Sequence, residues 1–234
     1  MQIVFASLVI LWCTSFTIYS QELVRPKKMT FSYVNHPVIV AELIPIIQKA
    51  YDSLGIKTEF VEQPSNRNLR AIKNGLVDGD VVFSRLLLKD YPEFVLVEPP
   101  LVSSVFVVLC QPHLTCDASI LRDPKKLLVS TAASQSGVNR WYGKQLEISF
   151  YLINNLAVIP QLITEKRFEY GVYILTEELM GKVDKLSYRF FELFRTDSFH
   201  ILHPKYQFLK DDVEQAISQV IAESNVADQV DNDR

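Results

Sequence analysis

The stretch IKNGLVDGDVVF (Ile72–Phe83) recurs without a gap as ITEKRFEYGVYI (Ile163–Ile174). Ile72 falls on Ile163, Val77 on Phe168, Asp78 on Glu169, Val81 on Val172 and Phe83 on Ile174. Each copy reads as the end of a helix, a turn and a buried-type strand, and such a unit must cover its apolar face with neighbours. KKMTFSY (Lys27–Tyr33) pairs in the same way with KKLLVST (Lys125–Thr131). One α/β lobe built twice accounts for both matches; the alternative is a coincidence between unrelated helix–turn–strand units. Two lobes joined by a long extended segment predict a cleft between them.

The spacing along the chain fills in each lobe. MTFSYV alternates as a strand until Asn35-His36-Pro37 breaks it. Val40, Leu43, Ile44, Ile47, Tyr51 and Leu54 then recur at helical spacing up to Gly55. IKTEFV is a short strand; Leu69, Ile72 and Leu76 mark one face of a second helix, and DVVFS is a buried strand. This alternation implies a parallel sheet covered by helices. Beyond Pro99-Pro100, LVSSVFVVL forms a long extended run to Cys110. LLVST opens a second series, followed by an expected loop AASQSG and a helix from Val138 to about Leu146. YLINN and GVYIL read as strands on either side of a helix at Pro160–Lys166, and SYRFFELF and SFHILH as two final strands. Pro204 opens a C-terminal helix with Val213, Ile217, Val220 and Ile221 on one face, ending in a polar, frayed tail.

A chain that is 48% hydrophobic and 22% charged fits a soluble globular protein. Its net charge of −3 offers no basic footprint, so no nucleic-acid partner is expected. Near the amino terminus, IVFASLVILW is apolar and no charged side chain precedes Glu22. Residues 1–20 are therefore expected to be a signal peptide cleaved near Ser20, with an uncleaved membrane anchor as the alternative. Trp12 before Cys13 disfavours a lipoprotein signal. Export to an oxidising space makes Cys110 and Cys116, in CQPHLTC, a candidate disulfide, the alternative being two free thiols. Cys110, His113 and Cys116 have no fourth metal ligand nearby in sequence.

In open parallel α/β sheets, ligands bind outside the carboxyl ends of the strands. That rule selects Tyr33, Asn35 and His36; then Arg85; then Ser134, Gln135 and Ser136; then Thr176 and Glu177. The repeat makes Arg85 and Thr176 equivalent, facing each other across the cleft. Arg67 sits near the start of its helix, where the dipole disfavours a cation unless an anion is shared there. Arg67 and Arg85 are candidates to clamp a carboxylate; surface pairing with Glu62, Asp78 or Asp80 is the alternative. Ser134-Gln135-Ser136-Gly137 offers hydroxyls and backbone N–H groups to a ligand, or an ordinary helix cap. Tyr33, and Trp141 or Tyr142 across from it, are either stacking surfaces or core. No nucleophile elbow, Walker loop, dinucleotide fingerprint, zinc-protease or C-x-x-C motif occurs, so neither catalysis nor a cofactor is expected. His200 and His203 fall on opposite faces of a strand, a poor arrangement for zinc.

LGIKTEFVEQPSNRNLRAIKNGLVDGD, KDYPEFVLVEPPLVSSVFVVL and SFHILHPKYQFLKDDVEQAISQVIAE follow one another behind the leader. In that order they resemble the amino-acid-type (family 3) periplasmic solute-binding proteins, small stand-alone members. P-x-x-R-x-L followed by G-x-V-D-G carries most of the likeness. The resemblance implies a type II, two-lobe Venus-flytrap α/β fold, each lobe a mainly parallel sheet flanked by helices. Lobe I would span 21–107, lobe II 108–194, and 195–234 would return to lobe I. It further implies a periplasmic monomer that closes on a carboxylate-bearing amino acid or organic acid. Tyr33, Arg67, Arg85, Ser134–Ser136, Thr176 and Glu177 would line the site. Delivery would be to an inner-membrane ABC permease, or the protein would signal to a membrane partner. Two departures bear on the ligand. The family's amine-binding acid falls near Thr176-Glu177, and LLVSTAASQSG lacks the usual early glycine.

Overall fold

The computed structural model describes residues 24–182 and 187–232; the expected leader lies outside the described residues. Three strands open the chain: β1 (Lys28–Tyr33), β2 (Lys57–Glu62) and β3 (Gly79–Ser84). They run parallel in the order β2-β1-β3. A long strand, β4 (Val95–Cys110), leads to a second set of β5 (Leu127–Ser130), β6 (Ser149–Leu152) and β7 (Tyr170–Thr176). These repeat the first arrangement as a parallel β6-β5-β7. A second long strand, β8 (Arg189–Leu202), lies between β3 and β4 and is antiparallel to both. Strand β4 in turn pairs antiparallel with β7. The eight strands thus form one sheet in the order β2-β1-β3-β8-β4-β7-β5-β6. Each end is a three-strand parallel unit, and β4 and β8 run through both.

Among the described residues, seven α-helices cover the strands: α1 (Ile44–Ser53), α2 (Ser65–Lys73), α3 (Arg85–Leu88), α4 (Ala132–Tyr142), α5 (Ile159–Thr164), α6 (Glu177–Lys182) and α7 (Lys210–Asn232). Pro45 lies in the first turn of α1, where its missing N–H costs nothing, and Gly55 (φ 74°) turns the chain out beyond its end. Ile47, Ala50 and Tyr51 form the buried face of α1. They pack with Met29 and Phe31 of β1 and with Val213 and Ile217 of α7. The C-terminal helix therefore completes the core of the first lobe. In the second lobe, Phe106, Val108, Leu128 and Val172 make one face of the core. Val105, Val129, Ile159 and Ile163 make the other. Each fully buried aliphatic or aromatic side chain contributes about 1.5–3 kcal/mol. Cys110 and Cys116 are joined as a disulfide. Among the described residues no helix is long and apolar enough to cross a membrane.

Two local expectations give way to tertiary packing. AASQSG is not a loop: α4 begins at Ala132, and the Thr131 side chain accepts from the Ser134 amide at 3.2 Å. Thr131 supplies the cap, and Gly137 is buried against the rings of Phe106 and Phe194, where even a Cβ would make only ordinary contact at 3.5 Å. SYRFFELF and SFHILH are parts of the single strand β8, made continuous by pairing with β4: Arg195, Thr196 and Asp197 pair with Val105, Ser104 and Ser103. A 3-10 segment, Pro204–Leu209, precedes α7.

Candidate functional site

A cavity of about 850 Å³, including space continuous with solvent, opens at the carboxyl ends of the strands, between the lobes. One wall begins with Val34, His36 and Val38 after β1 and continues with Asn68 of α2. Phe83 and Ser84 at the end of β3 and Leu87 of α3 complete it. The facing wall is Thr131 and Ser134 at the start of α4 with Ile174, Leu175 and Thr176 at the end of β7. Ser104 and Phe106 of β4 and Ser198 of β8 lie beneath. The walls meet through His36, whose Nε2 donates to the Ile174 carbonyl at 3.1 Å and whose ring lies 5.4 Å from that of Tyr173. Burial lowers the His36 pKa against the raising effect of that hydrogen bond, so the ring is neutral at pH 7.

The cavity hydroxyls are largely paired. Ser104 Oγ lies 3.0 Å from Ser198 Oγ, and Ser84 Oγ 3.2 Å from Thr196 Oγ1. Thr131 Oγ1 donates to Ser134 Oγ at 3.0 Å, and Thr176 Oγ1 accepts from the Leu179 amide at 3.3 Å. Behind the first wall, Asp80 is buried among donors. Ser32 Oγ and Asn68 Nδ2 each reach its Oδ2 at 2.7 Å, and the Val82 amide reaches Oδ1 at 3.1 Å. Hydrogen bonds of this kind favour the carboxylate, but burial outweighs them and pushes the Asp80 pKa up to about 7. In this arrangement the Asn68 amide turns its nitrogen toward Asp80. The Asn68 Oδ1 is buried without a hydrogen-bond partner among the described residues.

Ser134 and Thr176 of the expected site line this cavity, together with His36. Tyr33 is half-buried and packs on the first-lobe core. Arg67 is exposed on α2, one residue and about 100° of helical rotation away from Asn68. Arg85 is half-exposed outside the lining: its guanidinium donates to Glu98 Oε1 at 2.8 Å and lies 4.2 Å above the Phe199 ring. Gln135 is half-buried and does not line the cavity. Ser136 faces a neighbouring depression with Arg70, Lys73 and Asp90, which shares Phe83, Leu87 and Ala133 with the cavity. Glu177 pairs with Arg195. Trp141 stacks on Phe194 at 4.9 Å, and Tyr142 donates to the Leu193 carbonyl.

Asn68, Ser84, Ser104 and Ser198 were not singled out by the sequence reading. A signal existed for two of them. Asn68 stands one helical turn before the buried Ile72, and Ser104 follows Ser103 in a mostly apolar run, LVSSVFVVL. Among the described residues no group of three His, Cys, Asp or Glu side chains is placed to hold a metal ion.

No family model and no curated protein matches the chain. Solved structures do. The GluR0 ligand-binding core from Nostoc punctiforme, in complex with L-glutamate, is similar at TM-score 0.68 and 14% identity, over 87% of this chain and 98% of that one. Truncated, arginine-bound ArgBP from T. maritima is similar at TM-score 0.66 and 7% identity, over 83% and 96%. A histidine kinase sensor domain with similarity to periplasmic binding proteins is similar at TM-score 0.66 and 13% identity, over 86% and 93%.

Proposed function

We propose that this chain, which has the two-lobe fold of the periplasmic binding proteins, is a non-enzymatic binding protein that encloses a small solute between its lobes. The observation that carries the reading is that both lobes furnish one cavity: Asn68 and Ser84 stand on one wall, Thr131, Ser134 and Thr176 on the other. Lobes joined through a pair of long strands suit hinge closure around a ligand. The apolar leader supports action in the periplasm, as a monomer that delivers its solute to an ABC permease.

The glutamate- and arginine-bound neighbours support an amino acid or organic acid as the solute. In that case Arg85, directly after the cavity residue Ser84, exchanges Glu98 for the ligand carboxylate at the mouth. Arg67 assists, and Tyr33, Gln135, Ser136 and Glu177 close around the entrance. Calorimetric titration of the wild type, Arg67→Gln and Arg85→Gln with L-glutamate, L-arginine and succinate tests this. Loss of a charge-assisted pair is expected to weaken binding about tenfold or more. Unchanged affinity in both variants removes the arginines from the site.

The sensor-domain neighbour favours one second reading, in which closure signals to a membrane partner instead of delivering solute. Cross-linking of the ligand-loaded protein in its native membranes separates the two: a permease supports uptake, a receptor or kinase supports sensing.

A further inference from the structure

The residues that line the cavity divide by exposure. His36, Asn68, Ser104, Thr131, Ser134 and Ser198 are drawn into the walls, each between 2% and 7% exposed. Val34, Ile39, Val82, Val102, Ala133 and Ile174 are only half-buried and come from both lobes. Most of the surface that faces the cavity is therefore apolar. No lining residue among those described is an Asp, Glu, Lys or Arg. His36, which could become charged, has its Nε2–H committed to the Ile174 carbonyl.

The hydroxyls are engaged as well. Ser104 pairs with Ser198, Thr131 with Ser134 and Ser84 with Thr196. Arg85, one residue beyond the lining, pairs with Glu98. A carboxylate or ammonium entering this space would lose its water and meet no opposite charge. A hydrocarbon group of the same size gains by leaving water and makes van der Waals contact with both walls.

We propose that the part of the ligand that enters the cavity is an uncharged hydrocarbon group such as a branched alkyl chain, and that any charged end of the same molecule stays at the mouth. This inference rests on the solute-binding reading above and specifies the occupant of the same cavity.

The test is a titration of the ¹⁵N-labelled full chain with two isosteric pairs, L-leucine with L-aspartate and 4-methylpentanoate with succinate. Within each pair one end is shared, and an isopropyl group is exchanged for a carboxylate of nearly the same shape. The amides at 131–134 report on one wall and those at 174–176 on the other. The isopropyl member is expected to shift both groups and to bind at least about tenfold more tightly than its partner. Ile174→Thr, which takes apolar surface from the wall, is expected to weaken the isopropyl member about threefold or more. Unchanged affinity in that variant removes the isopropyl group from the cavity. Should the variant fail to fold, the wild-type pairs decide by themselves. Equal affinities within a pair that binds, or tighter binding of its carboxylate member, overturn the hydrocarbon occupant but leave solute binding standing. If no probe moves either wall, both readings fall together.

Discussion

Gly75 and Lys166 hold the same backbone conformation at the same step of the two repeats, with φ of 68° and 59°. The hydrogen bonds around them also match. The Leu76 and Val77 amides return to the Ala71 carbonyl at 2.9 and 3.4 Å, and the Arg167 and Phe168 amides to the Leu162 carbonyl at 2.9 and 3.3 Å. Both copies thus end a helix with a left-handed residue that turns the chain into a strand. Glycine takes this conformation without strain, whereas lysine sets its Cβ against the backbone.

Lys166→Gly is therefore expected to stabilise the protein by about 0.5–1 kcal/mol, the relieved strain exceeding the extra freedom of the unfolded chain. Urea unfolding checks it: the midpoint should rise at constant slope. A lower midpoint would show that the lysine side chain contributes more than its backbone strain removes.

Tyr51 and His200 are both fully buried in the first lobe, 2.9 Å apart from hydroxyl to Nε2. His200 Nδ1 donates to the Val81 carbonyl at 3.3 Å, so Nε2 accepts from Tyr51. Burial brings the His200 pKa down to about 4, keeping the ring neutral. Tyr51→Phe leaves Nε2 buried without its donor and is expected to cost about 1–3 kcal/mol. Chemical denaturation measures the loss; no loss would mean that the hydrogen bond only offsets the cost of burying the phenol.

The Asp80 carboxyl, raised to about 7 from an ordinary 3.8, makes a signed contribution to stability. Between those values the folded state holds a proton that the unfolded chain has released. The contribution is complete below about pH 4 and is lost as the pH rises through 7. Relative to Asp80→Asn, the wild type should lose roughly 4 kcal/mol between pH 4 and pH 8, as an upper limit. Comparing the two proteins cancels the opposite slope of His200. Parallel pH profiles would show that Asp80 ionises without penalty.

His36 acts in the other direction. Its folded pKa lies below 6.5, so the unfolded chain is the first to take up a proton in acid. The stability it supports is present above pH 6.5 and is lost as the pH falls below that value. His36→Gln can still donate to the Ile174 carbonyl but does not titrate. Its stability is expected to fall less steeply from pH 7 to pH 5 than that of the wild type, as read by urea unfolding at each pH. An identical acid slope would place the sensitivity elsewhere.

The sequence by itself determined the secondary-structure rhythm, the duplicated α/β unit and the strand ends at which a cavity would open. These follow from short-range spacing: apolar residues at period two or near four, glycines and prolines at the turns, and one pattern written twice. The tertiary structure alone decided which side chains meet. Arg85 and Thr176 are equivalent in the repeat, yet one reaches Glu98 over a phenylalanine ring and the other lines the cavity. Ser104 finds Thr196 opposite and Ser198 on the diagonal because β4 and β8, distant in sequence, pair in that register. AASQSG has the composition of a loop, but Thr131 caps it and Ser134, Gly137 and Val138 are buried, and it is a helix. Local propensity amounts to tenths of a kcal/mol per residue, whereas burial and register are each worth several, so distant contacts chose the partners.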